Sequence, residues 1–455
     1  MSTAARSTPA LAQLSLRTLA LRGSAWTFLG FGLAQALRLA SHLILARLLF
    51  PEVFGLMALV AVFLQGLEMF SDVGIGPSII QNKRGDDRSF LATAWSIQII
   101  RGFLLTAIAL AAAWPFAAFY GEPQLGPLIS VAAFAATLAG FNSTGIFSAN
   151  RHMAIGRITL LDLLSQSVAI AVMITWAWYY RTVWALVGGG LVAAGLKMLF
   201  SHVLWPGRDR LGWNWEAARS LFSFGKWIFA TSAVNFLAAQ GHRLLLGAYL
   251  VMAELGIFAI AYHLTDVLRG VVSKLTHSVM FPALSRTFRD NPERVKSVFY
   301  RARLLSDAML LPAVGVLAAT GPAVVALLYD DRYAQAGWML QILALRVAIS
   351  CTTLFGGACL LAAGNPRYGL VTNSVQSVWI FAGVPLIWPA YGLYGALWVL
   401  ATANISTAFI VAWGLHRYGV LSIWHEIRAL AFLAVGVCVG TLFNPALEGL
   451  VGALS

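Results

Sequence analysis

Apolar residues fill this chain in runs of roughly 20 to 30 positions, punctuated by short polar stretches rich in arginine. A run of about 20 apolar residues is what an α-helix needs to cross a bilayer, whereas barrel strands are half as long and alternate in polarity. These runs do not alternate, so they predict helices. Twelve spans follow, over 24–46, 54–80, 91–119, 125–148, 158–180, 183–205, 222–248, 254–282, 302–328, 334–363, 368–389 and 393–416. A thirteenth, over 429–453, is interrupted by Asn444-Pro445 and reads as a bent or partial span. The expected fold is an all-α polytopic membrane protein.

The pattern also repeats. Shifted by 201 residues, Ser24–Pro77 lies on Gly225–Ser278 without a gap. Trp26 then meets Trp227, Leu43-Ile44-Leu45 meets Leu244-Leu245-Leu246, and Gly55 meets Gly256. The polar stripe Gln65/Glu68/Asp72 meets Asp266/Arg269/Ser273. Duplicated hydrophobic segments with polar residues at matching depth are a common architecture of secondary transporters. Six spans per copy give both copies the same orientation, related by an axis along the membrane normal. The expected units are a six-helix lobe over 1–219, a second over 220–418, and an extra C-terminal segment over 419–455. Pro206–Ser220, with Trp213 and Trp215 as interfacial anchors, is the expected hinge.

Composition agrees with a life in lipid: 59% of residues are hydrophobic and 11% charged, against about 25% charged in soluble domains. Of 31 Lys and Arg, 21 fall in loops on the side of the N-terminus, and only Arg47, Arg181 and Arg332 on the other. The positive-inside rule therefore puts the N-terminus in the cytoplasm. It also assigns the net charge of +13 to loops beside anionic membrane lipids, so no nucleic-acid partner is expected. No secretory signal peptide is recognisable over 1–22, where Leu11, Leu14 and Leu21 suggest a short interfacial helix. Cys351, Cys359 and Cys438 all lie in spans, which argues for packing and against disulfides or a metal site. No GxxxxGK[ST], paired CxxC or HExxH motif occurs, so neither an enzyme nor a cofactor is expected. Tyr329-Asp330-Asp331-Arg332-Tyr333, the one charged cluster on the outer side, reads as a solvated turn.

Charges inside spans change the picture most. Arg38, Arg101, Lys197, Arg243, Arg269, Lys274 and Arg346 lie there with Glu68, Asp72, Asp162, Asp266 and Asp307. At that depth a charge is costly and faces a bundle interior or a wet cavity. Helical spacing puts Gln35/Arg38/His42 on one face, and likewise Asp266/Arg269/Ser273/His277 and Arg346/Ser350/Thr353. Lys197, Arg243 and Asp307 lie near span ends, where their side chains can reach the interface. Asp266 and Arg269 are spaced for an ion pair. Arg38, Arg101 and Arg346 have no acid three or four residues away. Guanidinium groups donate paired hydrogen bonds and stay protonated, so the expected cavity prefers a phosphate or carboxylate.

Ala46-Arg47-Leu48-Leu49-Phe50-Pro51-Glu52-Val53-Phe54-Gly55 followed by Asp72-Val73-Gly74-Ile75-Gly76 resembles the first hairpin of polysaccharide transporters. These form the O-antigen and exopolysaccharide flippase branch of the multidrug/oligosaccharidyl-lipid/polysaccharide exporter superfamily. Glu254-Leu255-Gly256-Ile257-Phe258-Ala259-Ile260-Ala261-Tyr262, Phe281-Pro282-Ala283-Leu284-Ser285-Arg286 and Leu361-Ala362-Ala363-Gly364-Asn365-Pro366-Arg367 continue the likeness, which covers roughly 20–418. It implies two six-helix lobes around a central cavity that alternate access to a polyprenyl-diphosphate-linked oligosaccharide. The substrate-binding residues it suggests are Arg38, Arg101, Arg269, Arg346, Lys274, Arg243 and His42; ion-coupling candidates are Glu68, Asp72, Asp162 and Asp266. Many relatives carry an acid where this chain has His242-Arg243, which makes this lobe more cationic. The implied partners are membrane lipids, the lipid-linked substrate, and a polysaccharide polymerase with its export machinery, in a bacterial inner membrane. An ion-coupled drug antiporter on the same fold, or a non-transporting scaffold, are the alternative readings.

Overall fold

The computed structural model describes residues 16–71, 74–205 and 209–454, without the side chains of 16–25, 27, 223–231, 450 and 452–454. The interfacial helix expected through Leu11, Leu14 and Leu21 falls outside that description, as does Asp72. Helix α1 (Leu16–Leu48) turns within two residues into α2 (Pro51–Phe70), where Pro51 presets the first helical φ. After a break comes α3 (Ile75–Gln81), so the expected span 54–80 is two helices. The long α4 (Arg88–Tyr120) starts on Asp87, whose carboxylate accepts from the Ser89 N–H at 3.0 Å. That bond and pairing with Arg84 hold the Asp87 carboxyl below the usual range.

The span expected over 125–148 is α5 (Leu125–Ala132), α6 (Phe134–Gly140) and α7 (Gly145–Arg151), bent by 60° between α6 and α7. A helix broken at membrane depth must satisfy its freed carbonyls within the protein. Gln98 on α4 does this, its amide donating to the carbonyls of Ala139, Gly140 and Asn142 at 3.0–3.1 Å. Then follow α8 (Ile155–Tyr180) and α9 (Trp184–Leu204).

The second half runs through α10 (Trp215–Gly247), α11 (Met252–Leu275), a π-turn at Thr276–Met280 into α12 (Phe281–Asp290), α13 (Val295–Leu328) and α14 (Ala336–Ala362). α15 (Arg367–Arg417) is two helices joined at Gly392, whose φ of +52° and ψ of −140° suit a residue without Cβ. α16 (Ile423–Leu454) runs unbroken through Asn444-Pro445, so the interruption expected there does not occur. Ten helices are long and apolar enough to cross a membrane, or eleven with the bent segment counted, among the described residues.

Successive connections alternate between two ends of the bundle. One end carries the Arg-rich loops around 82–87, 152–154, 209–214 and 291–294; the other carries the turns at 49–50, 121–124, 181–183, 248–251 and 329–335. At this second end the two halves share an apolar core that includes Leu45, Leu49, Leu59, Leu255, Phe258 and Leu340. The remaining cores lie within one half, except that one first-half cluster takes in Ala217, Ala218 and Leu221 from the start of α10.

Helices α2 and α11 make the central contact between the halves. A Cβ on Gly55 would collide with the Met252 carbonyl oxygen, and one on Gly256 with the Pro51 carbonyl oxygen. Gly55 and Gly256 are 201 residues apart in the chain, as are Pro51 and Met252, so the repeat's equivalent glycines meet in a reciprocal contact. The linker after α9 is no loose tether. Asp209 accepts from the Thr144 N–H at 2.9 Å and its hydroxyl at 2.7 Å, Ser96 donates to the Gly212 carbonyl at 2.9 Å, and Thr93 accepts from the Asn214 N–H at 3.0 Å.

Candidate functional site

A chamber of about 1060 Å³ opens between the halves, walled by α1, α2, α8 and α9 from the first half and α10 and α11 from the second. Much of the wall is apolar or small, including Phe31, Ala34, Leu163, Gly189 and Ala193. Into it project the cations Arg38, Lys197, Arg243 and Lys274, with His42 and His263. Asp162 is the one carboxylate among the described lining residues.

Helical periodicity delivers these groups. Arg38 and His42 lie one turn apart on α1, and the Arg38 Nε donates to Gln35 Oε1 at 2.9 Å. His42 meets His263 of α11 with ring centroids 4.0 Å apart, bridging the two halves. Arg243 reaches in from α10 with its guanidinium 5.0 Å from the centre of the Tyr262 ring, and its Nε is buried without a hydrogen-bond partner. Lys197 Nζ sits 2.8 Å from Asp162 Oδ1. Arg38, Arg243 and Lys274 make no ion pair with a described residue. An unpaired charge in a low-dielectric cleft costs several kcal/mol, so an anion placed among these three cations would be stabilised.

The residues singled out in the sequence divide on position. Arg38, His42, Arg243, Lys274 and Asp162 line the chamber. Arg346 is buried behind it, its Nη2 donating to the Tyr262 hydroxyl at 2.9 Å while the guanidinium lies 4.6 Å from the ring centre. His242 stacks on the same ring at 4.5 Å. Tyr262 is thus the common support of Arg346 and the chamber-lining Arg243. Arg269 and Asp266 form the ion pair their spacing suggested, at 3.0 Å, and are not among the lining residues. Arg101 points elsewhere: it donates to the Ser71 and Glu68 carbonyls at 2.9 and 2.8 Å and to the Ser71 hydroxyl, capping the C-terminus of α2. Glu68 lies beside that cap and borders a separate small pocket.

Several expectations need correction. Lys197 does not reach for the interface; it turns inward to Asp162. Asp307 is not at the interface either. It is buried at 3.0 Å from Arg303, which also contacts Glu426 of α16 at 2.6 Å and donates to Thr352 at 3.1 Å. Arg303, one of the 21 basic residues that the charge count assigns to loops on the N-terminal side, is the largest fully buried side chain among the described residues. No spacing rule links residues 303 and 426, so this pair was invisible along the chain. The cluster at 329–333 is not a solvated turn. Arg332, oriented by Asp330, donates to the carbonyls of Ala46, Arg47 and Leu49 and lies 5.1 Å from the Phe50 ring. The buried Tyr333 hydroxyl donates to the Leu49 carbonyl at 3.1 Å. A second-half loop therefore caps the C-terminus of α1 and seals the chamber's far end.

Comparison with known proteins gives these features a context. The profile of a family described as "Polysaccharide biosynthesis protein" matches residues 44–337. The chain is similar to the succinoglycan biosynthesis transport protein ExoT of Rhizobium meliloti (strain 1021), at 23% identity over 86% of this chain and 81% of that one. It is also similar to the lipopolysaccharide biosynthesis protein WzxC of Escherichia coli (strain K12), at 21% identity over 72% of this chain and 67% of that one. Among solved structures, the lipid II flippase MurJ in an inward closed conformation superposes with a TM-score of 0.70 at 12% identity, covering 94% of this chain and 100% of MurJ. An inward-facing multidrug resistance MATE family transporter of the MOP superfamily gives 0.63 at 16% identity, over 88% and 95%. At those identities the structural likeness speaks for the fold.

Proposed function

This chain belongs to the polysaccharide biosynthesis protein family, and from that premise we propose that it is a flippase for a lipid-linked oligosaccharide. It carries a polyprenyl-diphosphate-linked repeat unit from the inner to the outer leaflet of a bacterial inner membrane, for surface polysaccharide assembly. The observation that supports this reading best is the chamber between the halves, where Arg38, Arg243 and Lys274 converge from three helices without acidic partners. A diphosphate brings two negative charges to that cluster, and guanidinium groups pair with its oxygens in bidentate fashion. The lipid tail stays in the bilayer, so only the head needs a polar path.

The Arg-rich end of the bundle is the cytoplasmic one by the positive-inside rule, which puts the N-terminus in the cytoplasm. The sealed end then faces outward, and the chamber is loaded from the cytoplasmic leaflet. Rocking of residues 1–219 against 220–418 about the α2–α11 contact breaks the Arg332 cap and exposes the same cations to the other side. A polymerase and its export machinery take up the delivered repeat unit.

A deletion strain tests the reading: surface polysaccharide is measured together with lipid-linked repeat units extracted from its membranes. Loss of polymer with accumulation of lipid-linked units is the expected outcome. Unchanged polysaccharide with new drug sensitivity would replace the flippase with a drug antiporter.

A further inference from the structure

One wall of the chamber has the wrong chemistry for a diphosphate. Helix α8 presents Thr159, Asp162 and Gln166 to the chamber at i, i+3 and i+7, a single face. Asp162 is half exposed to that space, and Lys197 occupies only its Oδ1, at 2.8 Å. The ion pair neutralises the carboxylate and leaves Oδ2 accessible as an acceptor. Gln166 spends its amide nitrogen on the Ala34 carbonyl at 3.3 Å, which leaves its Oε1 as an acceptor too. Phosphate oxygens at neutral pH are also acceptors, so these two oxygens offer them no hydrogen bond. Hydroxyl groups are donors, and they fit it.

We infer that the α8 face, Thr159, Asp162 and Gln166, is the glycan-reading wall of the chamber, accepting hydrogen bonds from sugar hydroxyls. The inference rests on the lipid-linked oligosaccharide reading above and assigns a division of labour within it. Arg38, Arg243 and Lys274 hold the diphosphate whatever sugar it carries, whereas α8 tests the sugar. Space permits both: at about 1060 Å³ the chamber exceeds ordinary small-molecule pockets of about 300–1,000 Å³. Lys197 is a positioning residue here, fixing the Asp162 rotamer and cancelling its repulsion of the nearby diphosphate. A site built to hydrogen-bond hydroxyls rejects ligands lacking them, since its acceptors are then left unpaired.

The test compares two probes on the full-length protein reconstituted in vesicles: bare undecaprenyl diphosphate, and the lipid-linked oligosaccharide extracted from the deletion strain. The charge-balanced pair Asp162→Ala with Lys197→Gln removes the acceptor without changing net charge, and Gln166→Leu removes the second acceptor. Both are expected to weaken binding of the glycan-bearing lipid by about tenfold or more, with the bare lipid held within about twofold. Arg38→Ala weakens both lipids alike. If the wild type binds both lipids and the α8 variants lose them equally, or lose neither, the glycan wall is wrong and the flippase stands. If the wild type binds neither lipid, the flippase reading falls and this inference with it.

Discussion

Arg243 shows how a single side chain acquires its role. The chain position suggested a residue near a span end, but α10 carries it into the chamber, supported on the Tyr262 ring and with an unpartnered Nε. Replacing Arg243 or Arg38 with Ala removes a charge-assisted contact of about 1.5–3 kcal/mol, so transport falls about 10- to 100-fold while insertion is retained. Flipping by reconstituted protein checks it, and wild-type rates in both variants would remove the diphosphate from this site. Arg346 behaves differently because it sits behind Tyr262, away from the chamber lining. Arg346→Ala leaves a buried phenol unpaired and is expected to cost about 1–3 kcal/mol of stability, read as a lowered Tm in detergent. Arg38, His42, Lys274 and Asp162 stood out in the sequence because a polar group in an apolar run is conspicuous. Lys197 was equally conspicuous, but its direction depends on Asp162 of a neighbouring helix.

At the scale of elements, the last helix is part of the second half. α16 packs its Gly436 and Gly440 against Pro312 and Val316 of α13, and sends Glu426 to the buried Arg303. Removing one member of a buried ion cluster strands the others, at about 3–5 kcal/mol, whereas replacing all members with apolar residues is close to neutral or stabilising. Glu426→Ala should therefore lower Tm clearly, and Arg303→Met/Asp307→Leu/Glu426→Leu should restore it. A Tm unmoved by Glu426→Ala would mean that α16 is held by the glycine packing alone. The sequence located this helix by its hydropathy. The interruption expected at Asn444-Pro445 is absent, since α16 is helical on both sides of it.

For the whole molecule, the decisive contact is the seal at the end opposite the Arg-rich loops. Arg332 satisfies carbonyls that helix α1 leaves open at its C-terminus, and the Tyr333 hydroxyl adds a fourth bond between halves. Its pairing with Asp330 raises the Arg332 pKa further, so the cap persists at any physiological pH. Arg332→Ala shifts the population toward the outward-open state. Labelling of a cysteine placed at Leu45 by a membrane-impermeant maleimide should rise several-fold in that variant. Labelling equal to the parent would show that the apolar core at this end seals it unaided.

Hydropathy by itself determined the class, an all-helical membrane protein, because helix length and apolar periodicity are local; its twelve spans and partial thirteenth compare with ten or eleven helices long and apolar enough to cross among the described residues. The likeness to polysaccharide transporters was legible in short ordered motifs of the same kind. Which charges share a chamber, which ones cap a helix and which are buried in pairs was decided only in three dimensions. Arg101, Arg303 and Arg332 carry the same guanidinium chemistry as Arg38. Arg101 and Arg332 reach carbonyls 30 to 286 residues away and Arg303 reaches the Glu426 carboxylate 123 residues away, contacts set by packing that no single helix contains.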